Sequence, residues 1–292
     1  MNVLDPPSSA RPRPEAIPFQ ICDVFTDQPL AGNALAVFTD AAGLSDATMQ
    51  ALAREVNLSE SAFVLPPTAT GADARVRIFT PTMELPFAGH PTLGTAFVLG
   101  TSRRLDFVRL ETRRGVVEVR LTPDGGRPAF GWMNQPIPRF GPYGPTAELF
   151  AALGVHGSLL PVELYDNGPQ YVFVELGSPA DVASLRPDLG ALAALGTTAF
   201  AVVARDGTRW KARVFAPGEG IPEDPATGAA AGPLALHLAR HGRVPFDVEI
   251  VIDQGAEIGR PSVLRARVSA AVDRVEVGGA AVIVGGGEFR LQ

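Results

Sequence analysis

Arg77-Ile78-Phe79-Thr80-Pro81-Thr82-Met83-Glu84-Leu85-Pro86-Phe87-Ala88-Gly89-His90-Pro91-Thr92-Leu93-Gly94 organises the chain, because its skeleton returns downstream. The second copy is Arg213-Val214-Phe215-Ala216-Pro217-Gly218-Glu219-Gly220-Ile221-Pro222-Glu223-Asp224-Pro225-Ala226-Thr227-Gly228-Ala229-Ala230. Arg77 matches Arg213, Phe79 matches Phe215, Pro81 matches Pro217 and Pro86 matches Pro222 at one offset, 213 − 77 = 136, which also sets Ala88 against Asp224. Each copy reads as an alternating strand, a proline-punctuated loop and a run of small residues opening a helix. The first N–H groups of such a helix lack partners and favour an anion in front of them. Two copies therefore predict two pseudo-symmetric lobes that present their helix mouths to a shared cleft.

The bulk properties agree with two lobes of ordinary size. A chain of 292 residues exceeds one usual core. With 46% hydrophobic and 19% charged residues it can bury what it needs to fold. A net charge of −6 provides no basic footprint for nucleic acid or anionic membrane, so a small molecule is the expected partner. The single cysteine, Cys22, excludes an intramolecular disulfide, reads as an inert strand residue and suits a reducing, cytoplasmic setting. Residues 1–17, rich in Pro, Ser and Arg, read as a disordered tail and not as a signal peptide. The N-terminal lobe is expected over 18–136 and the C-terminal lobe over 137–292, with the last strand returning to the first lobe.

Along the chain, strands are expected at 19–26 and 34–38 and a helix from Ser45 to about Asn57, with Ser45 as cap and Leu44 packed on Met49. The polar knot Asn57-Leu58-Ser59-Glu60 then turns into a strand. Its counterpart, matched through Leu58/Leu195 and Phe63/Phe200 (195 − 58 = 137), sets Thr197 against Glu60, so the carboxylate is on one side only. A strand over 74–79 leads into a first hub helix over 91–99, stopped by Gly100 and apolar all round, hence buried inside antiparallel strands. A linker is expected over 136–145. The second hub helix runs to Gly242 with Pro233 inside it, implying a kink or a late start. Gly278-Gly279 and Gly285-Gly286-Gly287 read as turns of a sheet.

Three places carry candidate chemistry. Glu60, between two serines ahead of an apolar strand, suits a general base whose pKa desolvation raises; the plain alternative is a cap or a solvated glutamate. His90 stands at the mouth of the first hub helix, as a proton shuttle or a structural histidine. Glu223 and Asp224 stand at the mouth of the second, as substrate-facing acids or mere caps. His237 and His241 have the spacing of a zinc pair, but no third ligand is evident and no metal is expected. Lys211, the only lysine, could form a Schiff base with pyridoxal phosphate, but it lies in an alternating strand, and no cofactor is expected.

Asn57-Leu58-Ser59-Glu60, Phe87-Ala88-Gly89-His90-Pro91-Thr92 and Glu223-Asp224-Pro225-Ala226-Thr227-Gly228, continued by Gln254-Gly255 and Gly259-Arg260-Pro261-Ser262, together resemble the phenazine-biosynthesis PhzF-like family. The resemblance runs from about Phe19 to the end. It implies an α+β fold similar to diaminopimelate epimerase and proline racemase: two pseudo-symmetric lobes, each an antiparallel barrel-like sheet around a central helix. It further implies a cofactor-independent isomerase, usually a homodimer, acting on a small carboxylate-bearing substrate. Glu60 would be the acid/base, assisted by His90 and Asp224, and Ser59, Gly89, Pro91, Thr92, Thr227, Gly228 and Ala229 would bind substrate. The racemase relatives use a cysteine at each hub helix; non-thiol residues, Ala88 among them, stand here and exclude a two-thiol racemase. Ala229 replaces a family serine that contacts substrate, and Ala34 replaces a common proline. A non-catalytic binder on the same scaffold, or a lyase using the same base, are the other readings.

Overall fold

The computed structural model describes residues 16–196 and 198–291, so nearly all of the expected tail, and Thr197, lie outside the described residues. The first strand begins at Ile17, two residues before its expected start, because Ile17 is fully buried and pairs with Phe289.

The two halves repeat one pairing plan. In the first, Asn33–Phe38 lies parallel to Glu60–Leu65, which runs antiparallel to Ala74–Phe79, which in turn lies parallel to Phe107–Thr112. In the second, Gln170–Glu175, Ala199–Asp206, Arg209–Ala216 and Ile250–Gln254 repeat the same relations in the same order. The expected antiparallel lobes are thus mixed sheets. The reason is connectivity: a parallel pair needs a long crossover, and a helix fills each one. These helices are Asp46–Val56 and the first hub helix Gly89–Arg103 in the first half. In the second half, Pro179–Ser184 with Leu189–Ala194, and the second hub helix Gly228–Arg240, take their places.

Two seams join the halves. Arg127–Gln135 pairs antiparallel with Val275–Gly279, and the last strand, Ala281–Phe289, returns to pair with Ile17–Val24. Part of the expected linker is itself a strand, Arg139–Pro142, paired with Glu163–Asp166.

Local chemistry explains the helix ends, with two corrections. Ser45 caps the first helix by accepting from the Thr48 N–H, and Leu44 and Met49 share one cluster as a staple would. Gly100 does not end the first hub helix; Arg104 takes the left-handed conformation (φ 55°) instead. Glycine is needed at 100 for contact, since a Cβ there would lie 2.3 Å from Leu121 Cδ1. The other correction concerns the C-terminal glycines, which lie within strands and not at turns. A Cβ on Gly278 would meet Trp132 at 2.7 Å, and one on Gly279 would meet Phe25 at 2.4 Å.

Register corrects the matching of the copies. Ser61 pairs with Phe79 and Phe200 with Phe215, so Glu60 is equivalent to Ala199 (199 − 60 = 139) and not to Thr197. A two-residue slip leaves every side chain on the same sheet face, so alternation alone could not detect it. Ile78 pairs with Leu85 and Val214 with Asp224, making Leu85 the counterpart of Asp224 (224 − 85 = 139). The hub helices start at Gly89 and Gly228, again 228 − 89 = 139. The second loop therefore holds three extra residues. The Pro86/Pro222 and Ala88/Asp224 matches dissolve; Pro86 answers Pro225 and Ala88 answers Thr227.

Candidate active site

The mouths of the two hub helices touch. A Cβ on Gly89 would lie 2.3 Å from the Ala229 nitrogen and 2.5 Å from the Gly228 carbonyl carbon, so only glycine lets the backbones meet. Neither N-cap, Ala88 or Thr227, provides a side-chain hydrogen bond to its helix, which leaves first-turn N–H groups facing outward.

Beside this contact lies a small cavity of about 30 Å³. Its wall includes Glu60, Leu85 and Ala88 from the first half, and their counterparts Ala199, Asp224 and Thr227 from the second. Tyr171 and Glu219 complete the polar lining. Such a volume holds a water or two, not a ring acid. A larger cleft of about 480 Å³ shares only Gln254 with the network around Asp224.

Glu60 begins its strand at 8% exposure, and its Oε2 lies 3.3 Å from His90 Nε2. The two atoms are not aligned as a hydrogen bond, and both are buried with no other partner among the described residues. Burial, then the carboxylates of Asp224 and Glu219, push the Glu60 carboxyl well above its ordinary value. Burial pulls His90 down to about 3, so its imidazole is neutral.

Asn33 ties His90 to Asp224. Its amide nitrogen donates to Asp224 Oδ1 (2.7 Å) and the Ala226 carbonyl (3.1 Å), and lies 3.2 Å from His90 Nδ1. Two obligate acceptors fix the amide orientation and take both of its hydrogens.

Asp224 is held tightly. Thr227 Oγ1 donates to Oδ2 (2.6 Å), and Gln254 Nε2 donates to the Asp224 carbonyl (2.7 Å) and to Thr227 Oγ1 (2.9 Å). Burial raises the Asp224 carboxyl to about 6, against the lowering effect of hydrogen bonds from Thr227, Asn33 and Ser59.

The structure thus brings Glu60, His90, Asp224, Ser59, Gly89, Thr227, Gly228 and Ala229 together. Pro91 and Thr92 lie in the first hub turn but not on the cavity wall, and the Thr92 hydroxyl donates to the Ala88 carbonyl (2.7 Å). Glu223 turns away to a bidentate pair with Arg213 (2.9 and 2.7 Å), as Glu84 does with Arg77 (2.8 and 2.7 Å). Asn33, Tyr171 and Glu219 were missed. Asn33 had a visible signal, the matching Asn167 of the mirrored loop, which donates to the Ala229 carbonyl (2.9 Å). That carbonyl is free because Pro233 has no N–H to offer it.

The remaining candidates lie elsewhere. Lys211 pairs with Glu257 (2.5 Å), away from the cavity wall. His237 and His241 do find a third potential ligand, Glu163, with ligating atoms within 4.8 Å of one another. Arg240 already donates to Glu163 Oε2 (2.7 Å) and Tyr165 does so at 3.0 Å. Burial would raise that carboxyl, but hydrogen bonds from Arg240, His241 and Tyr165 hold it down to about 2. A cation would have to displace Arg240.

The family described as phenazine biosynthesis-like protein matches residues 22–287. The chain belongs to this family. It is 50% identical over 257 residues to the trans-2,3-dihydro-3-hydroxyanthranilate isomerase of Pseudomonas aeruginosa, covering 88% of this chain and 92% of the relative. The crystal structure of the Bacillus anthracis PhzF-family phenazine biosynthesis protein superposes with a TM-score of 0.81 at 26% identity, covering 94% of this chain and 99% of that one. A probable proline racemase from Agrobacterium radiobacter shares the fold at a TM-score of 0.67 and 15% identity, covering 94% of this chain and 93% of that one. The PhzF-like chain is therefore an isomerase of small substrates on the diaminopimelate epimerase-like α+β fold. No helix among the described residues is long and apolar enough to cross a membrane.

Proposed function

We propose that this PhzF-like protein moves a proton between carbons of a small, carboxylate-bearing ring substrate, with Glu60 as the acid/base and no cofactor. The observation that carries the reading is a buried glutamate of raised pKa, facing the Nε2 of a neutral imidazole across 3.3 Å, at the wall of a small cavity. A carboxyl so placed gains a proton readily and returns it readily, as a shuttle between two carbons requires. Outward N–H groups of the hub helices would hold the substrate acid, and Asp224, fixed by Asn33 and Thr227, would orient its polar substituents. Identity of 50% to the Pseudomonas aeruginosa enzyme makes trans-2,3-dihydro-3-hydroxyanthranilate the first substrate to try, and Ala229 is the departure that would alter its binding.

The cavity is too small for such a molecule, so the walls of the site must move apart to admit it and close again to exclude water. The test is solvent-deuterium incorporation into that substrate by the metal-stripped protein. Wild type should exchange, and Glu60→Gln should lose at least a thousandfold in rate while still binding. Exchange that survives Glu60→Gln removes Glu60 from the role, dependence on an added metal or cofactor removes the cofactor-independent reading, and binding without exchange by wild type favours a binder. A homodimer rests on the family resemblance and is checked by light scattering. A cytoplasmic location rests on the single cysteine, which leaves no intramolecular disulfide to form, and is checked by cell fractionation.

A further inference from the structure

At the far end of the second hub helix from the cavity, Glu163 Oε2 is crowded. Arg240 Nη1 stands 2.7 Å from it, the Tyr165 hydroxyl and His241 Nε2 each 3.0 Å, and His237 Nδ1 3.3 Å. One carboxylate oxygen offers about two lone-pair sites, so these four groups converge beyond what hydrogen bonding to Oε2 can satisfy. The twin oxygen, Oε1, lies 3.4 Å from Arg240 Nη2.

The convergence follows from two local periods. Alternation along the strand Glu163–Asp166 puts Glu163 and Tyr165 on one face, and a spacing of four puts His237 and His241 on one face of the last helical turns. The scaffold does not require it. At the hub-helix offset of 139, the counterparts of His237 and His241 are Val98 and Ser102, where the first hub helix packs a buried valine and Ser102 donates to its own Leu99 carbonyl (3.2 Å). The fold is thus built once without the cluster and once with it.

The spacings suit a metal. Tetrahedral arms of about 2.0–2.1 Å set ligand atoms about 3.3 Å apart. Oε2 lies 3.3 Å from His237 Nδ1 and 3.0 Å from His241 Nε2, and all three ligating atoms lie within 4.8 Å of one another. We propose that Glu163, His237 and His241 bind a divalent cation of the zinc type, with the Tyr165 hydroxyl beside the fourth position. Two imidazoles select zinc, nickel or copper over magnesium and calcium, which take oxygen shells. The negative end of the helix macrodipole favours the charge. Arg240 yields Oε2 to the cation but keeps Oε1, and its guanidinium stays over the Phe140 ring (3.6 Å to the centroid), so it orients the ligating carboxylate from behind. The cation would tie the end of the second hub helix to the strand Glu163–Asp166. None of the three ligands lines the small cavity, so the site stands apart from the proton transfer proposed above.

The experiment is calorimetric titration of the metal-stripped full chain with zinc chloride. Wild type should take up one zinc with a micromolar Kd, magnesium should give no binding heat, and cobalt(II) should develop the strong visible bands of a four-coordinate ion. Zinc at a hundredfold excess over Kd should raise Tm by about 5 °C. His241→Ala and Glu163→Gln, both at partly exposed side chains, should each weaken zinc at least tenfold, with circular dichroism confirming the fold. His156→Ala, at an exposed histidine elsewhere, should change it less than twofold. A wild type that takes up no zinc overturns the proposal, as does uptake that survives both His241→Ala and Glu163→Gln, or one that is lost with His156→Ala. The readout is metal binding and not turnover, so failure of this site and failure of Glu60 as base are separate results.

Discussion

Replacing Asn33 by alanine should loosen the site from behind, and the size of the effect can be worked from its contacts. The side chain is 1% exposed, donates to Asp224 Oδ1 at 2.7 Å and to the Ala226 carbonyl at 3.1 Å, and lies 3.2 Å from His90 Nδ1. Loss of the charge-assisted bond costs about 1.5–3 kcal/mol, and a stranded carbonyl costs about 1–3 kcal/mol less whatever a water in the vacated space restores. Together these amount to about 3 kcal/mol, which for a chain of this size lowers Tm by about 5 °C in a calorimetric scan. One lowering influence on Asp224 also disappears, so its carboxyl should titrate above its present value of about 6. Asn33→Asp separates hydrogen bonding from packing. It sets a second carboxylate against Asp224, so it should be less stable than Asn33→Ala at pH 8 and recover by pH 5, the pair having taken up a proton on the way down. An Asn33→Ala protein that melts within 2 °C of wild type, or an Asn33→Asp protein as stable at pH 8 as at pH 5, would refute the network.

His90 gives a pH prediction of opposite sign to that of Asp224. The native imidazole titrates at about 3 against an ordinary 6.5, so below pH 6.5 the unfolded chain takes up a proton that the native protein refuses. Stability is then lost as pH falls, by about 1.4 kcal/mol per pH unit, or about 2 kcal/mol at pH 5. Asp224, raised from 3.8 to about 6, instead contributes stability below its unfolded value that is lost as pH rises through 6. Urea titrations of wild type and His90→Asn isolate the first effect: the gap between them should change by about 2 kcal/mol from pH 8 to pH 5, and parallel curves would contradict a buried neutral histidine. Gly89→Ala should force the hub mouths apart, since its Cβ would meet backbone at 2.3 Å, and at an overpacking cost of about 3 kcal/mol or more should lower Tm by at least about 5 °C. Gly71→Ala (φ 80°), with nothing within 4 Å, bears only backbone strain and should cost about 1 kcal/mol.

What could be read from the chain, and what could not, follows the range of the physics. Capping is local, so Ser45 was legible, and it accepts from the N–H of Thr48, three residues on. The repeated strand, Arg77 with Phe79 and Arg213 with Phe215, was legible because both arginines do the same work. Each grips a glutamate bidentately and stacks over its phenylalanine, at 5.1 and 5.0 Å. Register was not legible, because the two-residue slip from Phe63/Phe200 preserves alternation. Nor was the three-residue insertion, because Pro222 happens to fall at the expected spacing. Gly100, Gly278 and Gly279 were misassigned for a related reason: a glycine required by a neighbour's bulk looks, in sequence, like one required by its own φ. Glu219 and Tyr171 carried no local signal at all; only tertiary packing brings them beside Glu60.

The corrected matching changes what the pseudo-symmetry means. At the cavity, Glu60 faces the methyl of Ala199 as its counterpart, Asp224 has Leu85, and Thr227 has Ala88. The backbone is duplicated while every catalytic candidate is single. Inverting a stereocentre asks for an acid and a base on opposite faces of a planar intermediate, which a duplicated scaffold supplies best with like groups at matching positions. Here the position matching the proposed base is apolar, so a proton removed by Glu60 has no equivalent group across the pocket to replace it. If Glu60 is the base, the proton goes back from the side it left. Deuterium acquired in D₂O should then appear on one face of the product ring, the face from which protium was lost. Label on both faces, or on the opposite one, would mean that Asp224 or Glu219 completes the transfer and that the single-base reading is wrong.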